Sequence, residues 1–352
     1  NAALSGGVTS VVTMPNTNPI IDNVSMVDFL KRRGRDKSKI NIFPTASLTK
    51  NLEGTNMTEF GLLQKKGIIA FTDGIKTIQN TRLMSRIMNS AHDLNSLIIQ
   101  HAEDYELAKN GMMNDGIIST KLGLQGIPDV AEKIIIERDL RIAKLTNAHY
   151  HISNVSTKES IKAIRKAKEQ GLSVTCDTSP AYFYLNELEL SSYNTAFKLS
   201  PPLRSEADRL AIIDGIKDDT IDIITSDHHP RSKDTKILPF SSASTGAAGL
   251  ETLLSMTLGL VNQGYIDVSK AIKLITTNPS KIFKIEYPKI SKGSLASFII
   301  FDPEKPYFIN QEKLLSYPTP FNNRPVEGMN LASFIKGKII YMHDDFRELK
   351  NE

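Results

Sequence analysis

The sequence contains a single cysteine, Cys176, among 352 residues. One thiol excludes a disulfide within the chain and is typical of a reducing compartment, so we expect a cytoplasmic location. No apolar run approaches the length of a membrane span, and no segment resembles a signal peptide. We therefore expect no membrane association.

A strong excess of charge of either sign is also missing. The 43 Lys and Arg residues and the 39 Asp and Glu residues give a net charge of +4. The basic residues are scattered between acidic ones, which is typical of solvated surfaces and not of a nucleic-acid interface. The apolar fraction of 40% and charged fraction of 23% are ordinary for a soluble protein, and the length permits a large core.

Short β-rich segments alternate with longer amphipathic segments over most of the chain. Seven strand-then-helix units that all run in the same sense predict a parallel sheet and most simply a (β/α) barrel. The predicted strands are residues 8–14, 40–47, 68–71, 96–100, 149–155, 172–176 and 221–226. An eighth unit, carrying the first strand, is expected to precede Asn1.

The pattern changes near the C-terminus. From Gly293 onward short strands, at 298–301 and 334–341, are separated by loops rich in Pro and Asn. We interpret residues 1–288 as an α/β barrel and residues 289–352 as a small β-rich appendage. A helix over 268–277 is expected to end at Asn278-Pro279.

Ionisable residues follow three of the predicted strands. Residues 220–232, T-I-D-I-I-T-S-D-H-H-P-R-S, place Asp227 after a buried strand, and Asp73 and His101 end two others. Taken singly, each suits a structural role: Asp227 or Asp73 in a turn, His101 as a hydrogen-bonded core histidine. Together at the carboxyl ends of parallel strands they favour a site, with a composition suited to zinc-assisted hydrolysis.

Several motifs resemble one family. The segment G-G-V-T-S-V-V-T-M-P-N-T-N-P at residues 6–19 is similar to the G-G-x-T-x-x-x-x-M-P-N-T-x-P signature of dihydroorotases. Further matches occur in the family's order: Q-H-A-E-D at 100–104, H-Y-H-I-S-N-V-S-T-K-E-S at 149–160, P-P-L-R-S at 201–205, S-D-H-H-P at 226–230 and G-A-A-G-L-E-T at 246–252. The resemblance implies a (β/α)8 amidohydrolase barrel of TIM type with a zinc site. The implied reaction is the reversible closure of N-carbamoyl-aspartate to dihydroorotate, in pyrimidine biosynthesis.

The resemblance also implies metal ligands. An H-x-H pair on the first strand, expected before Asn1, and Asp227 would hold one zinc ion. Asp73 and two histidines would hold a second, and Asp227 would carry the proton. His101 matches the first histidine, whereas Asn154 stands where the second belongs. Because an amide oxygen is a weaker zinc ligand than imidazole, we expect the second metal to be weak or absent.

A neighbouring histidine could in principle replace the missing ligand. Side chains alternate along a strand, so Asn154 is expected to share a face with Tyr150 and Ile152. His149 and His151 are then expected to point towards the helical layer and to pack or hydrogen-bond there.

Substrate contacts implied by the resemblance are also partly altered. Asn16 is kept and would bind the substrate carboxylate. Ser200 stands in place of an Asn. Arg231 stands in place of a His, which is a milder change because a guanidinium group binds carboxylates through two hydrogen bonds.

Two hypotheses follow. One is an active dihydroorotase or a relative acting on another cyclic amide, with a small-molecule substrate and homo-oligomeric assembly. The other is a non-catalytic barrel that serves as a structural partner of aspartate transcarbamoylase.

Overall fold

The computed structural model describes residues 1–286 and 289–351. Extended segments occur along this whole length and form two kinds of sheet, one parallel and one antiparallel. In chain order the strands are β1 (Ser10–Thr13), β2 (Asn41–Pro44), β3 (Ala70–Phe71), β4 (Leu97–His101), β5 (Met113–Asn114), β6 (Gly126–Ile127), β7 (His149–Ser153), β8 (Val174–Thr178), β9 (Ile223–Ile224), β10 (Phe298–Phe308), β11 (Pro325–Ile335) and β12 (Lys338–Met342).

Seven of these strands form a parallel series in chain order. β1 pairs with β2, and β3, β4, β7, β8 and β9 pair successively, all in parallel. A parallel bridge between Ala46 and Phe71 joins the two groups. The predicted strand-helix units and the common direction of their strands are therefore confirmed. β1 and β9 are the two ends of the series.

Helices lie before, between and after the strands. They are α1 (Ala2–Ser5), α2 (Val24–Lys37), α3 (Phe60–Lys65), α4 (Thr81–Asp93), α5 (Tyr105–Ala108), α6 (Ile117–Leu122), α7 (Val130–Thr146), α8 (Lys158–Glu169), α9 (Pro180–Tyr184), α10 (Glu206–Lys217), α11 (Lys233–Lys236), α12 (Leu253–Asn262), α13 (Val268–Ile275), α14 (Thr277–Ile282) and α15 (Asp344–Asn351). Among the described residues, no helix combines the length and apolar character needed to cross a membrane.

The helices cover the sheet with apolar faces at helical spacing. In α4, the Asn80 side chain accepts a hydrogen bond from the Leu83 N–H and so caps the helix. Its buried residues recur every three or four positions and belong to one core with side chains of the sheet: Leu83, Met84, Ile87, Met88 and Ala91.

The predicted end of the helix after Val268 is wrong. Thr277–Ile282 forms a further helix through Asn278-Pro279, because Pro279 lies in its first turn, where a proline N–H is not needed. The proposed division between residues 288 and 289 adjoins residues 287 and 288, which lie outside the described part.

The C-terminal strands β10, β11 and β12 form an antiparallel sheet. It contacts the beginning of the chain: Asn330 Nδ2 and Ser333 Oγ on β11 each donate to the Leu4 carbonyl, both at 2.9 Å. The appendage is thus packed against the N-terminal segment that leads into β1.

Candidate active site

Asn154 and Asp227 meet at the carboxyl ends of the parallel strands. Asn154 follows β7 directly, and its Nδ2 donates to Asp227 Oδ1 at 3.2 Å. Both residues adopt left-handed backbone conformations, with φ of +56° and +43°. Asn and Asp tolerate this conformation better than other side-chain-bearing residues, so the chain turns sharply at each position and directs both side chains to one place.

The surroundings of Asp227 are largely dry. Its side chain is 13% exposed, and His229 Nδ1 lies 3.9 Å from Oδ1. Burial raises the pKa of the Asp227 carboxyl, the neighbouring His229 ring acts in the opposite direction, and the Asp177 carboxylate raises the pKa further. A carboxyl with a raised pKa is better suited to receive and return a proton near neutral pH.

The loop before α12 is held against Asp227 by its backbone. His228 Nδ1 accepts from the N–H groups of Gly249 and Leu250, at 3.2 and 3.3 Å. A Cβ at position 249 would lie 1.8 Å from the Ser226 carbonyl oxygen, so only glycine permits this approach. Burial lowers the pKa of His228 to about 4, which keeps the ring neutral and able to accept.

His101, the last residue of β4, is buried beside Ser200. The distance from Ser200 Oγ to His101 Nε2 is 3.3 Å, while His101 Nδ1 is buried with no hydrogen-bond partner among the described residues. Burial lowers the pKa of the ring to about 4. A neutral imidazole with one uncommitted nitrogen is suited to bind a ligand or a metal.

The expected orientation of β7 is wrong. Tyr150 points towards the helical layer, where its hydroxyl donates to Asp139 of α7 at 2.9 Å. His151 points the opposite way, and its Nε2 lies 2.9 Å from Asp177 Oδ2 on β8. Alternation therefore holds within the strand, but the left-handed turn at Asn154 breaks it.

Asp177 is a buried residue of the site that the motifs did not identify. Its Oδ1 accepts from the Asn154 N–H at 2.7 Å, and the residue is 7% exposed. Like Asp73 and His101 it lies near the carboxyl end of a strand, and that signal was available in T-C-D-T at 175–178.

The Asp73 carboxylate is hydrogen-bonded to Thr49. Its carboxylate accepts from the Thr49 N–H at 3.0 Å and from the Thr49 hydroxyl. Burial raises its pKa, and the hydrogen bonds from Thr49 oppose this. Asn16 lies beside the following residue, Gly74: its Cγ is 3.3 Å from the position that a Cβ on Gly74 would occupy.

Arg231 lies on the exposed loop after Asp227. Its Nε donates to the Thr245 carbonyl at 2.7 Å, which leaves the rest of the guanidinium available at the surface. A small cavity beside Asp227 is lined by Ser179, Pro180, Leu199, Ala247, Pro320 and Phe321. The segment between β10 and β11 thus contributes one wall of the site.

The donor set for a metal ion is incomplete. Among residues 1–286 and 289–351, no three His, Cys, Asp or Glu side chains are grouped so that they could hold one. Two buried atoms without partners in that same part, His101 Nδ1 and Asn154 Oδ1, are suitable donors. These two and Asp227 do not amount to the three strong ligands that a catalytic zinc site uses.

Comparison with known proteins gives a consistent answer. A family model described as dihydro-orotase-like matches residues 1–160. A dihydroorotase of Pelobacter propionicus is 40% identical over 342 residues, covering 97% of this chain and 81% of the relative. One of Caldicellulosiruptor saccharolyticus is 40% identical over 341 residues, covering 97% and 78%.

Solved structures share the fold. An L-hydantoinase (dihydropyrimidinase) from Arthrobacter aurescens superposes with a TM-score of 0.85 at 22% identity, covering 97% of this chain and 79% of that one. A dihydropyrimidinase from Brevibacillus agri gives a TM-score of 0.82 at 21% identity, covering 98% and 79%.

Proposed function

The chain belongs to the dihydroorotase family of cyclic amide hydrolases, and we propose that it interconverts N-carbamoyl-aspartate and dihydroorotate. The observation that carries this proposal is the 40% identity to a dihydroorotase over 97% of the chain. The curated relatives do not favour the alternative of a non-catalytic scaffold. The proposed partner is a small-molecule substrate; association with aspartate transcarbamoylase and self-association remain predictions from the family resemblance.

The proposed architecture is a (β/α)8 barrel with a C-terminal β appendage. Seven consecutive parallel strands support it, as does the likeness to hydantoinases. Barrel enzymes place their chemistry at the carboxyl ends of the strands, which is where His101, Asn154 and Asp227 lie.

Asp227 is the proposed proton carrier. In ring opening a hydroxide adds to the amide carbonyl carbon, the carbon–nitrogen bond breaks, and the ring nitrogen takes up a proton. Asp227 would take the proton from the attacking water and deliver it to that nitrogen. The hydrogen bond from Asn154 Nδ2 holds Oδ1, so Oδ2 is the oxygen free to do so.

Three residues are proposed to orient the substrate. Asn16 and Arg231 carry exposed donors suited to its carboxylate, and Ser200 lies beside His101. His101, neutral because its pKa is about 4, would donate to or accept from the ring without adding charge.

The proposed cofactor is zinc, as the family resemblance implies. When bound, zinc lowers the pKa of water and polarises a carbonyl group. His101, Asn154, Asp73 and Asp227 are the proposed ligand residues. Asp73 is held by Thr49 and no three strong ligands are grouped in the described part, so these residues alone do not complete a zinc site.

The proposal is tested by following dihydroorotate hydrolysis spectrophotometrically with the wild-type protein and with Asp227→Asn. We expect measurable turnover and a loss in kcat of about 1,000-fold or more, because the variant cannot carry the proton. The matched control is Asp234→Asn, an exposed carboxylate on α11 of the same loop, which should behave as the wild type. Equal activity of Asp227→Asn and the wild type would refute the assignment.

A further inference from the structure

A chain of hydrogen bonds runs across the inner face of β7 and β8. Thr175 Oγ1 lies 2.7 Å from His151 Nδ1, and His151 Nε2 lies 2.9 Å from Asp177 Oδ2. All three are on neighbouring strands, in the register that pairs His151 with Thr175. With His151 fully buried and Asp177 7% exposed, water offers little competition for these bonds.

The chain continues to the end of β7. Asp177 Oδ1 accepts from the Asn154 N–H at 2.7 Å, and the Asp177 carbonyl accepts from the Val155 N–H at 2.9 Å. The strand end is thus held at two successive amides by one residue. A residue in the left-handed conformation needs such surrounding support, because that conformation is intrinsically unfavourable.

The side chain that this turn directs is the one that contacts Asp227. Asn154 Nδ2 donates to Asp227 Oδ1 at 3.2 Å, so Asp177 and Asp227 are connected through a single residue, by its backbone and its side chain. A shift in the backbone of Asn154 would move its amide away from the Asp227 carboxylate.

We propose that Asp177, oriented by His151, is a positioning residue that fixes the left-handed turn at Asn154 and thereby the orientation of the Asp227 carboxylate. The inference rests on the proposed function of Asp227. Within the described part of the chain, no hydrogen bond joins Asp177 to Asn16, Ser200 or Arg231, so its effect is expected in the chemical step and not in substrate binding.

The kinetic test compares two substitutions at one position. Asp177→Ala removes the acceptor and should lower kcat by about 10- to 100-fold, the cost of a small misplacement, with KM within about threefold of the wild type. Asp177→Asn keeps an acceptor for the Asn154 N–H and can donate to His151, so it should retain kcat within about fivefold.

The matched control is Asp139→Asn. Asp139 is a fully buried carboxylate on the other side of β7, bonded to Tyr150. Urea unfolding of each variant gives its folded fraction, and kcat is expressed per folded molecule. Equal losses in Asp177→Ala and Asp177→Asn, or a similar loss in Asp139→Asn, would overturn the inference.

A second measurement does not depend on activity. Hydrogen exchange of the Asn154 amide, measured by NMR on the whole protein, should be about 10-fold faster or more in Asp177→Ala than in the wild type and little changed in Asp139→Asn. Unchanged exchange at Asn154 in Asp177→Ala would contradict the positioning role. If the wild type does not hydrolyse dihydroorotate, the proposed function fails, while this result still decides whether Asp177 holds the turn.

Discussion

Two buried carboxylates lie on opposite sides of β7, and their different connections separate stability from function. Asp139 accepts from Tyr150 on the strand, from Gln100 on β4 and from Arg138 beside it on α7. Asp177, on β8, accepts from the His151 ring on β7 and from the Asn154 N–H. Both are almost inaccessible to water.

The hydrogen bonds around Asp139 form the outer network, and those around Asp177 form the inner network. In the described part of the chain, the outer network does not reach Asp227. Its members join α7 to the sheet, and Arg138 also donates to the carbonyls of Ile78 and Gln79. The inner network continues through Asn154 to the Asp227 carboxylate. A buried polar network therefore indicates function when it leads to a group that remains free to react, and not because it is buried.

The largest effect is expected for Asp139→Ala. It leaves the Tyr150 hydroxyl, the Gln100 amide and the Arg138 guanidinium without their shared acceptor. We expect the free energy of unfolding to fall by about 3 kcal/mol, with kcat per folded molecule within about twofold of the wild type. Urea unfolding and steady-state kinetics check both parts. A selective loss of kcat at unchanged stability would reverse the comparison.

The next largest effect is expected at Asn154, through which the inner network contacts Asp227. Asn154→Gly keeps the left-handed conformation at little cost but removes the amide that holds Asp227 Oδ1. We expect kcat to fall about 10- to 100-fold, the range equivalent to one hydrogen bond to a charged group, with a small change in stability. Wild-type kcat in this variant would show that the amide does not orient Asp227.

Asn154→His tests whether position 154 can bind a metal ion. An imidazole at this position would join His101 and Asp227, and His101 Nδ1 is buried without a hydrogen-bond partner in the described part of the chain. We expect zinc content after dialysis to rise by about one ion per chain, because imidazole is a stronger zinc ligand than an amide oxygen. Metal analysis of the protein before and after substitution measures this directly. Unchanged content would mean that position 154 is not a metal position.

The smallest effect is a pH dependence. Because burial holds the pKa of His228 near 4 while the unfolded chain titrates near 6.5, the unfolded state binds the proton first. The contribution of His228 to stability is therefore present above pH 6.5 and lost as the pH falls towards 4. His228→Asn keeps an acceptor for the Gly249 N–H but does not titrate, so its urea midpoint should fall less steeply over this range. Parallel curves for the two proteins would contradict this account.

The sequence predicts the order of the parallel strands well, but it does not predict which side chains of β7 face inward. Repeated apolar segments separated by amphipathic helices predict strand order, since consecutive parallel strands usually lie side by side. The orientation of β7 could not be predicted in the same way, because Tyr150 and His151 are both amphipathic. Their directions depend on partners distant in sequence, Asp139 on α7 and Asp177 on β8.

The candidate site was predictable where residues end strands and not where the backbone turns. His101 and Asp227 follow their strands as expected, and Asn154 reaches Asp227. Strict alternation does not predict the direction of the Asn154 side chain, because the backbone is not extended at position 154, where φ is +56°. Nothing local in the sequence indicates that Thr49 occupies the Asp73 carboxylate, since that contact requires the folded arrangement of two loops.

A double-mutant cycle on kcat tests most directly whether the inner network acts through Asn154. If Asp177 works only by placing that residue, removing it matters little once the Asn154 side chain is gone. Asp177→Ala combined with Asn154→Gly should then be about as slow as the slower single variant, whereas Asp139→Asn combined with Asn154→Gly should show the product of its separate effects. Losses from Asp177→Ala and Asn154→Gly that multiply in full would contradict the account, because they would mean that Asp177 reaches Asp227 by another route or not at all.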